Sequence, residues 1–183
     1  MGELTKSRLE KYAKGNVFIE TGTWLGGTVF NAIHSNIFNK IYSVELHEKL
    51  ADKAIDRFKE NSIVTIHKGE SPDFLQSICP TLVNPATFWL DAHASGGDLS
   101  GSTIYGKSPL IEELSAINLS PCKTHTIMID DIRDCGQQGW PTKQELIDKI
   151  LSINNSYKFE YIDGYESVNV DNRYPNDILV CSI

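Results

Sequence analysis

Three aspartates, Asp91, Asp130 and Asp131, close two short apolar runs, WLDAH and IMIDD, and a histidine, His93, stands just beyond the first of them. Carboxylates gathered at strand ends repel one another unless a cation neutralises them. A hard divalent ion such as Mg²⁺ takes oxygen ligands of this kind. An ion held there lowers the pKa of a substrate hydroxyl. An imidazole at the same rim is suited to take a proton near neutral pH, which makes His93 and Asp91 the candidate catalytic pair. The same residues also permit a structural use, in which Asp130 or Asp131 caps the following turn and pairs with Arg133, Asp91 bonds its own loop, and His93 packs.

A second group lies in FIETGTWLGGT. Glu20 ends an apolar run, Gly22 permits a sharp turn and Gly26 opens the next helical segment. Gly22, Thr23, Trp24 and Gly26 therefore form a turn whose backbone a ligand can approach closely. A dinucleotide fingerprint needs glycine where Trp24 stands, and the Glu20 carboxylate repels pyrophosphate. A cationic ligand without phosphate fits better, and S-adenosyl-L-methionine carries both an ammonium and a sulfonium. Glu45 ends the next run, IYSVEL, where an acidic side chain accepts hydrogen bonds from both ribose hydroxyls. Gly69, Glu70 and Ser71 follow the third run, at the place for a loop bordering adenine, although Ser71 before Pro72 also serves as a helix cap. Asp91 closes this list of cofactor contacts.

The elements that must position these groups alternate along the chain. VFIET, IYSVEL, VTIHK, TFWLDA and TIMIDD are short, continuous and apolar, as strands buried on both faces are. Helical spacing runs between them, over 27–35, 47–60, 71–78, 109–119 and 142–154. Strand, helix, strand, repeated, predicts a parallel sheet with right-handed crossovers. YKFEYID and DILVCSI are strand-like and separated by turn-rich sequence, which predicts an antiparallel pair at the sheet edge. The expected fold is a Rossmann-like doubly wound α/β domain over residues 1–183, with a mostly parallel seven-stranded sheet and an antiparallel C-terminal edge strand. The long loop 94–108, rich in small residues, follows a buried strand and is expected to shape the acceptor site.

Composition narrows the partners. With 24 acidic against 17 basic residues the net charge is −7, which offers no general attraction to nucleic acid or anionic membrane. The cysteines Cys79, Cys122, Cys135 and Cys181 form no zinc-binding pattern, and a reduced cytoplasmic setting is expected. No apolar run is long enough to span a bilayer. His34, His47, His67 and His125 fall on helix surfaces or strand starts and are given no role.

From ETGTWLGG through VELHEK and WLDAH to MIDD and the final strand pair, the chain resembles the class I S-adenosylmethionine-dependent methyltransferases over nearly its whole length. Within them it is similar to the cation-dependent O-methyltransferases of macrolide sugars and aminocoumarins, and more distantly to catechol O-methyltransferase. The resemblance implies a cofactor role for Glu20, Gly22 and Glu45, and Mg²⁺ ligation by Asp91, Asp130 and Asp131. His93 stands where macrolide-type enzymes carry a second acidic residue, and Ala94 and Ser95 stand near the lysine of catechol-type enzymes. The expected activity is O-methylation of a small, hydroxylated, sugar-like acceptor. A metal-independent N- or O-methyltransferase and a non-catalytic adenosyl-ligand module are the alternatives. Residues 1–16 and loop 94–108 are the only lid expected, so a homodimer could complete the pocket.

Overall fold

The computed structural model describes residues 4–93, 104–166 and 174–183. A short helix, α1 (Lys6–Tyr12), precedes the alternating pattern, which runs β1 (Val17–Thr21), α2 (Gly27–Ser35), β2 (Lys40–Glu45), α3 (Glu48–Phe58), β3 (Val64–Lys68), α4 (Ser71–Ile78), β4 (Thr87–Leu90), α5 (Leu110–Ile117), β5 (Thr126–Ile129) and α6 (Lys143–Ile153). The chain ends in β6 (Lys158–Ile162) and β7 (Ile178–Ser182). The seven strands lie in the order β3-β2-β1-β4-β5-β7-β6. β1 to β5 run parallel, and β7 is inserted antiparallel between β5 and β6, so the C-terminal pair forms the antiparallel edge of the sheet.

The strand residues explain the layers. Alternate side chains leave a strand on opposite faces, and adjacent residues divide accordingly: Ile19, Phe88 and Ile127 belong to one core, Phe18, Trp89 and Met128 to the other. The first core also holds Leu75, Leu114, Leu146 and Ile150 from α4, α5 and α6. The second holds Leu9, Val29, Ala32 and Phe58 from α1, α2 and α3. Apolar strands thus bury both faces under helices, as a doubly wound sheet requires.

Helix boundaries follow capping chemistry. Thr142 and Glu145 form a reciprocal capping box that opens α6, and Asn36 in the left-handed region closes α2. α1 was absent from the alternating pattern. Its Thr5 caps the Arg8 N–H, and it is docked rather than free: Leu9 is fully buried, and the Arg8 guanidinium donates to the Gly164 carbonyl at 2.9 Å. The described part of the 1–16 segment is therefore tied into the core beside the end of β6. Of loop 94–108, residues 94–103 lie outside the described residues, and with them Ala94 and Ser95. No described helix is long and apolar enough to cross a membrane.

Strand order reverses between β1 and β4. The connections that leave their carboxyl ends pass to opposite faces of the sheet, to α2 and to α5, and an open α/β sheet binds ligands in the crevice so formed.

Candidate active site

β1 delivers Glu20 to the crevice with only 1% of its surface exposed, and the Ser43 hydroxyl donates to Glu20 Oε2 at 2.5 Å. Ser43 in turn lies 2.6 Å from the Thr23 hydroxyl, which joins the turn to β2. Burial drives the Glu20 carboxyl up to about 8, against hydrogen bonds from Ser43 and Thr28, and Glu45 nearby adds to the rise. Gly22 has φ +84°, and a Cβ there would strike the Asp91 carbonyl, so glycine is what lets the ends of β1 and β4 close on each other. The turn is completed by Trp24, itself at φ 49°, and by Gly26 as the left-handed residue before α2.

Glu45 sits at the end of β2, 7% exposed. It accepts the Trp24 N–H at 2.7 Å and the His47 N–H at 2.8 Å. Each oxygen keeps acceptor capacity for a further donor. Among the described residues no basic side chain pairs with Glu20 or Glu45. Two buried carboxylates flanking a glycine turn suit a ligand that brings its own positive charge and hydroxyls. Gly69 donates to the Glu45 carbonyl at 3.0 Å, which brings the loop after β3 alongside. There Glu70, not Ser71, occupies the N-cap of α4, and its side chain makes no cap bond. Ser71 is the first helical residue and is buried.

The carboxyl ends of β4 and β5 carry the second group. His93 Nε2 lies 2.7 Å from Asp131 Oδ2 and 3.3 Å from Asp91 Oδ1. Its ring packs on Trp140 with centroids 4.6 Å apart. The Arg133 guanidinium lies 2.6 Å from Asp131 Oδ1 and also bonds Asp177. Burial alone would raise the Asp131 carboxyl, but the His93 hydrogen bond, the His93 charge and Arg133 outweigh it and hold Asp131 down at about 2. Asp91 goes the other way, well above its ordinary value, because of burial and the neighbouring Asp130, Asp131 and Glu20 carboxylates. Asp131 has φ 54°, a strained conformation for a non-glycine residue and one that recurs at functional sites.

Among the described residues two sets of side chains bring ligand atoms within 4.8 Å of one another: Asp91, His93 and Asp131, and Asp130, Asp131 and Asp177. Asp91, Asp130 and Asp131 do not form one such set. Asp131 belongs to both sets, and His93 enters where a third carboxylate was expected. Arg133 already neutralises Asp177 and one oxygen of Asp131, so the Asp91, His93 and Asp131 set is the better fit to a divalent cation. Imidazole with two carboxylates accommodates Mn²⁺ or Fe²⁺ as well as Mg²⁺.

Sequence reasoning missed Asp177, Ser43 and Glu113. Asp177 heads β7 and is fully buried, with the Arg133 N–H bonding its Oδ1 at 3.0 Å. Glu113, in the first turn of α5, is fully buried. Burial lifts its carboxyl to about 7, against the Ser71 and Thr21 hydroxyls and the His93 charge.

No protein-family model and no curated protein matches the chain. Solved structures do. The O-methyltransferase TomG from Streptomyces achromogenes, of tomaymycin synthesis and in complex with S-adenosylmethionine, superposes with a TM-score of 0.60 at 14% identity, over 95% of this chain and 74% of its own. An O-methyltransferase from Bacillus cereus in complex with S-adenosylhomocysteine gives 0.60 at 15% identity, over 97% and 78%. Precorrin 8W decarboxylase from Methanobacterium thermoautotrophicum gives 0.60 at 14% identity, over 96% and 85%. At such identities the likeness is one of fold, and the fold of this chain is the Rossmann-like fold of the class I S-adenosylmethionine-dependent methyltransferases.

Proposed function

We propose that this protein is an S-adenosylmethionine-dependent O-methyltransferase that acts on a small hydroxylated, sugar-like acceptor with the help of a divalent cation. The observation that carries the reading is the pair of buried carboxylates, Glu20 and Glu45, held on either side of the glycine turn without a basic partner among the described residues. Such a pair disfavours phosphate and favours an ammonium together with ribose hydroxyls. The fold it shares with two O-methyltransferases that hold the cofactor or its product supports the same assignment.

In this reading Glu20 binds the methionine ammonium once its own proton leaves, and Glu45 accepts from the ribose. Thr23, Trp24 and Gly26 shape the turn, and Gly69, Glu70 and Ser71 border the adenine. The cofactor supplies an electrophilic methyl on a sulfonium sulfur. Asp91, His93 and Asp131 would hold the cation, with Asp130 and Asp177 behind them, and a cation in such a set supplies Lewis acidity to an acceptor hydroxyl. With Nε2 facing Asp91 and Asp131 in that set, His93 would act as a ligand rather than as the base, and the proton that the hydroxyl releases as its oxygen gains the methyl leaves to solvent. Placing the acceptor oxygen in line with the methyl accounts for most of the rate enhancement in such transfers.

Calorimetric titration with S-adenosylmethionine, with Mg²⁺ or Mn²⁺ and again with EDTA, tests the reading. One-site saturable binding is expected, with formation of S-adenosylhomocysteine once a hydroxylated acceptor is supplied. Absence of binding in both buffers would remove the proposal. Binding without turnover on a panel of hydroxylated and amine acceptors would leave an adenosyl-ligand module.

A further inference from the structure

Two segments bring an aromatic and a basic side chain to the rim of the crevice, and neither side chain has a use in the cofactor or cation sites. The first is the turn 135–141 after β5. It is closed by the Gly136 N–H on the Pro141 carbonyl and the Trp140 N–H on the Gln137 carbonyl, both at 3.0 Å. Trp140 is half-buried there, packed against the core and against the His93 ring, with centroids 4.6 Å apart. The second segment is 104–108, which leads into α5. It is anchored on both sides of Lys107: the Tyr105 hydroxyl donates to Asp73 Oδ1 in the first turn of α4 at 2.6 Å, and Ser108 is buried.

Lys107 joins the two segments. Gly139 has φ +87°, and a Cβ there would lie 3.3 to 3.4 Å from Cβ, Cγ and Cδ of Lys107, so the lysine stem runs over the residue next to Trp140. The side chain is exposed, and among the described residues no carboxylate pairs with it. His93 and Arg133, by contrast, are faced by Asp131 and Asp177. Small-molecule sites combine an apolar or aromatic wall with a few placed polar groups. An aromatic face receives the C–H face of a ring, and an ammonium receives a carboxylate by a charge-assisted hydrogen bond. An anionic ligand is repelled by Asp91, Asp130 and Asp131 unless a positive charge lies beside it, and Lys107 offers one outside the candidate cation sets.

We propose that Trp140 and Lys107 form the acceptor subsite and select a hydroxylated ring that carries a carboxylate, a sugar acid rather than a neutral sugar. The ring lies against Trp140, beside the Asp91, His93 and Asp131 set, and its carboxylate pairs with the Lys107 ammonium. One ammonium in an acidic crevice matches the single charge of a carboxylate better than the nearly double charge of a phosphate. The proposal rests on the methyltransferase reading for the transfer of a methyl to that ring, but not for the binding of the ring.

Correlation of the indole ¹H–¹⁵N groups reads the subsite without turnover. The chain has three tryptophans, and Trp140→Phe identifies the Trp140 signal. With Mg²⁺ present, D-glucuronate is expected to shift that signal saturably and about 10-fold more tightly than D-glucose, as one charge-assisted hydrogen bond would give. Lys107→Met keeps the stem over Gly139 and removes the charge, and it is expected to bring glucuronate down to the affinity of glucose. A Trp140 signal unmoved by either sugar would overturn the proposal, and so would equal affinity of the wild type for the two. Tighter binding of D-glucose 6-phosphate than of glucuronate, or a preference for glucuronate that survives Lys107→Met, would overturn it as well. Titration with S-adenosylmethionine is read separately. A Trp140 shift in a protein that binds no cofactor removes the methyltransferase reading and leaves the subsite standing, whereas cofactor binding with an unmoved Trp140 signal removes the subsite alone.

Discussion

Glu20 and Glu45 have similar burial and different partners, and the difference predicts different behaviour. Glu45 already satisfies two backbone N–H groups that hold the Trp24 turn and the start of α3 in place. Glu45→Ala should therefore remove both the ribose acceptor and part of the turn, weakening S-adenosylmethionine binding by about 10- to 100-fold, in line with roughly 1.5–3 kcal/mol for a charge-assisted hydrogen bond. Calorimetry reads this directly, and wild-type affinity in the variant would refute the ribose role. Glu20 is raised by burial from its ordinary 4.5 to about 8, so between those values the folded protein holds a proton that the unfolded chain has released. Stability from this group is full below the unfolded value and is lost as pH rises through about 8. The melting temperature of the ligand-free protein should fall over that window, and Glu20→Gln should flatten the slope. Affinity for a cationic ligand should rise over the same window, because the ligand binds the ionised carboxylate. Both glutamates were legible in the sequence because each ends an apolar run. Asp177 and Ser43 were not, since an aspartate at a strand start and a serine within a strand carry no spacing signal until pairing places them.

At the scale of elements, the alternation of apolar runs and helical spacing sufficed for five parallel strands and five crossover helices, because a strand buried on both faces leaves little room for another assignment. What it could not supply was α1. KSRLEKY is short, and Leu9 is its one fully buried apolar side chain, so there is no periodicity to detect until the helix meets α2. That docking makes a prediction. Leu9 packs into the core with Val29 and Ala32, and Leu9→Ala should destabilise the protein by about 2–5 kcal/mol, measured by denaturant midpoint. A change under about 0.5 kcal/mol would mean that α1 is only loosely applied. Gly22→Ala tests the opposite kind of feature. The residue combines φ +84° with a Cβ that would meet the Asp91 backbone, so strain and collision act together at the meeting point of β1 and β4. Loss of folded protein, or a large fall in melting temperature, is expected, whereas Gly27→Ala, with open space around the Cβ position, should be tolerated. Glu113 was in principle legible: its place on the α5 stripe is visible from the 3.6-residue period alone, and an ionisable residue on an apolar stripe is the anomaly to look for.

The whole molecule carries a net charge of −7, and the crevice gathers Glu20, Asp91, Asp130, Asp131 and Asp177 with His93 and Arg133 as the basic groups among them. A fold that concentrates like charge at one point gives up stability there, and any cation that binds only the folded state returns some of it. Mg²⁺ or Mn²⁺ at about 100 times its dissociation constant would add roughly 2.7 kcal/mol by mass action. For a chain of this size that corresponds to a rise of about 5–10 °C in melting temperature. EDTA should reverse the rise. Asp131→Asn should abolish it, because Asp131 belongs to both candidate ligand sets, while Asp177→Asn should leave most of it, because Asp177 is committed to Arg133. Each result would separate the alternatives. A rise that needs Asp131 but not Asp177 fits the Asp91, His93 and Asp131 set, and a rise that needs both fits the all-carboxylate set. No rise with either ion would count against cation assistance while leaving the cofactor assignment on Glu20 and Glu45 intact, since neither carboxylate belongs to a candidate ligand set.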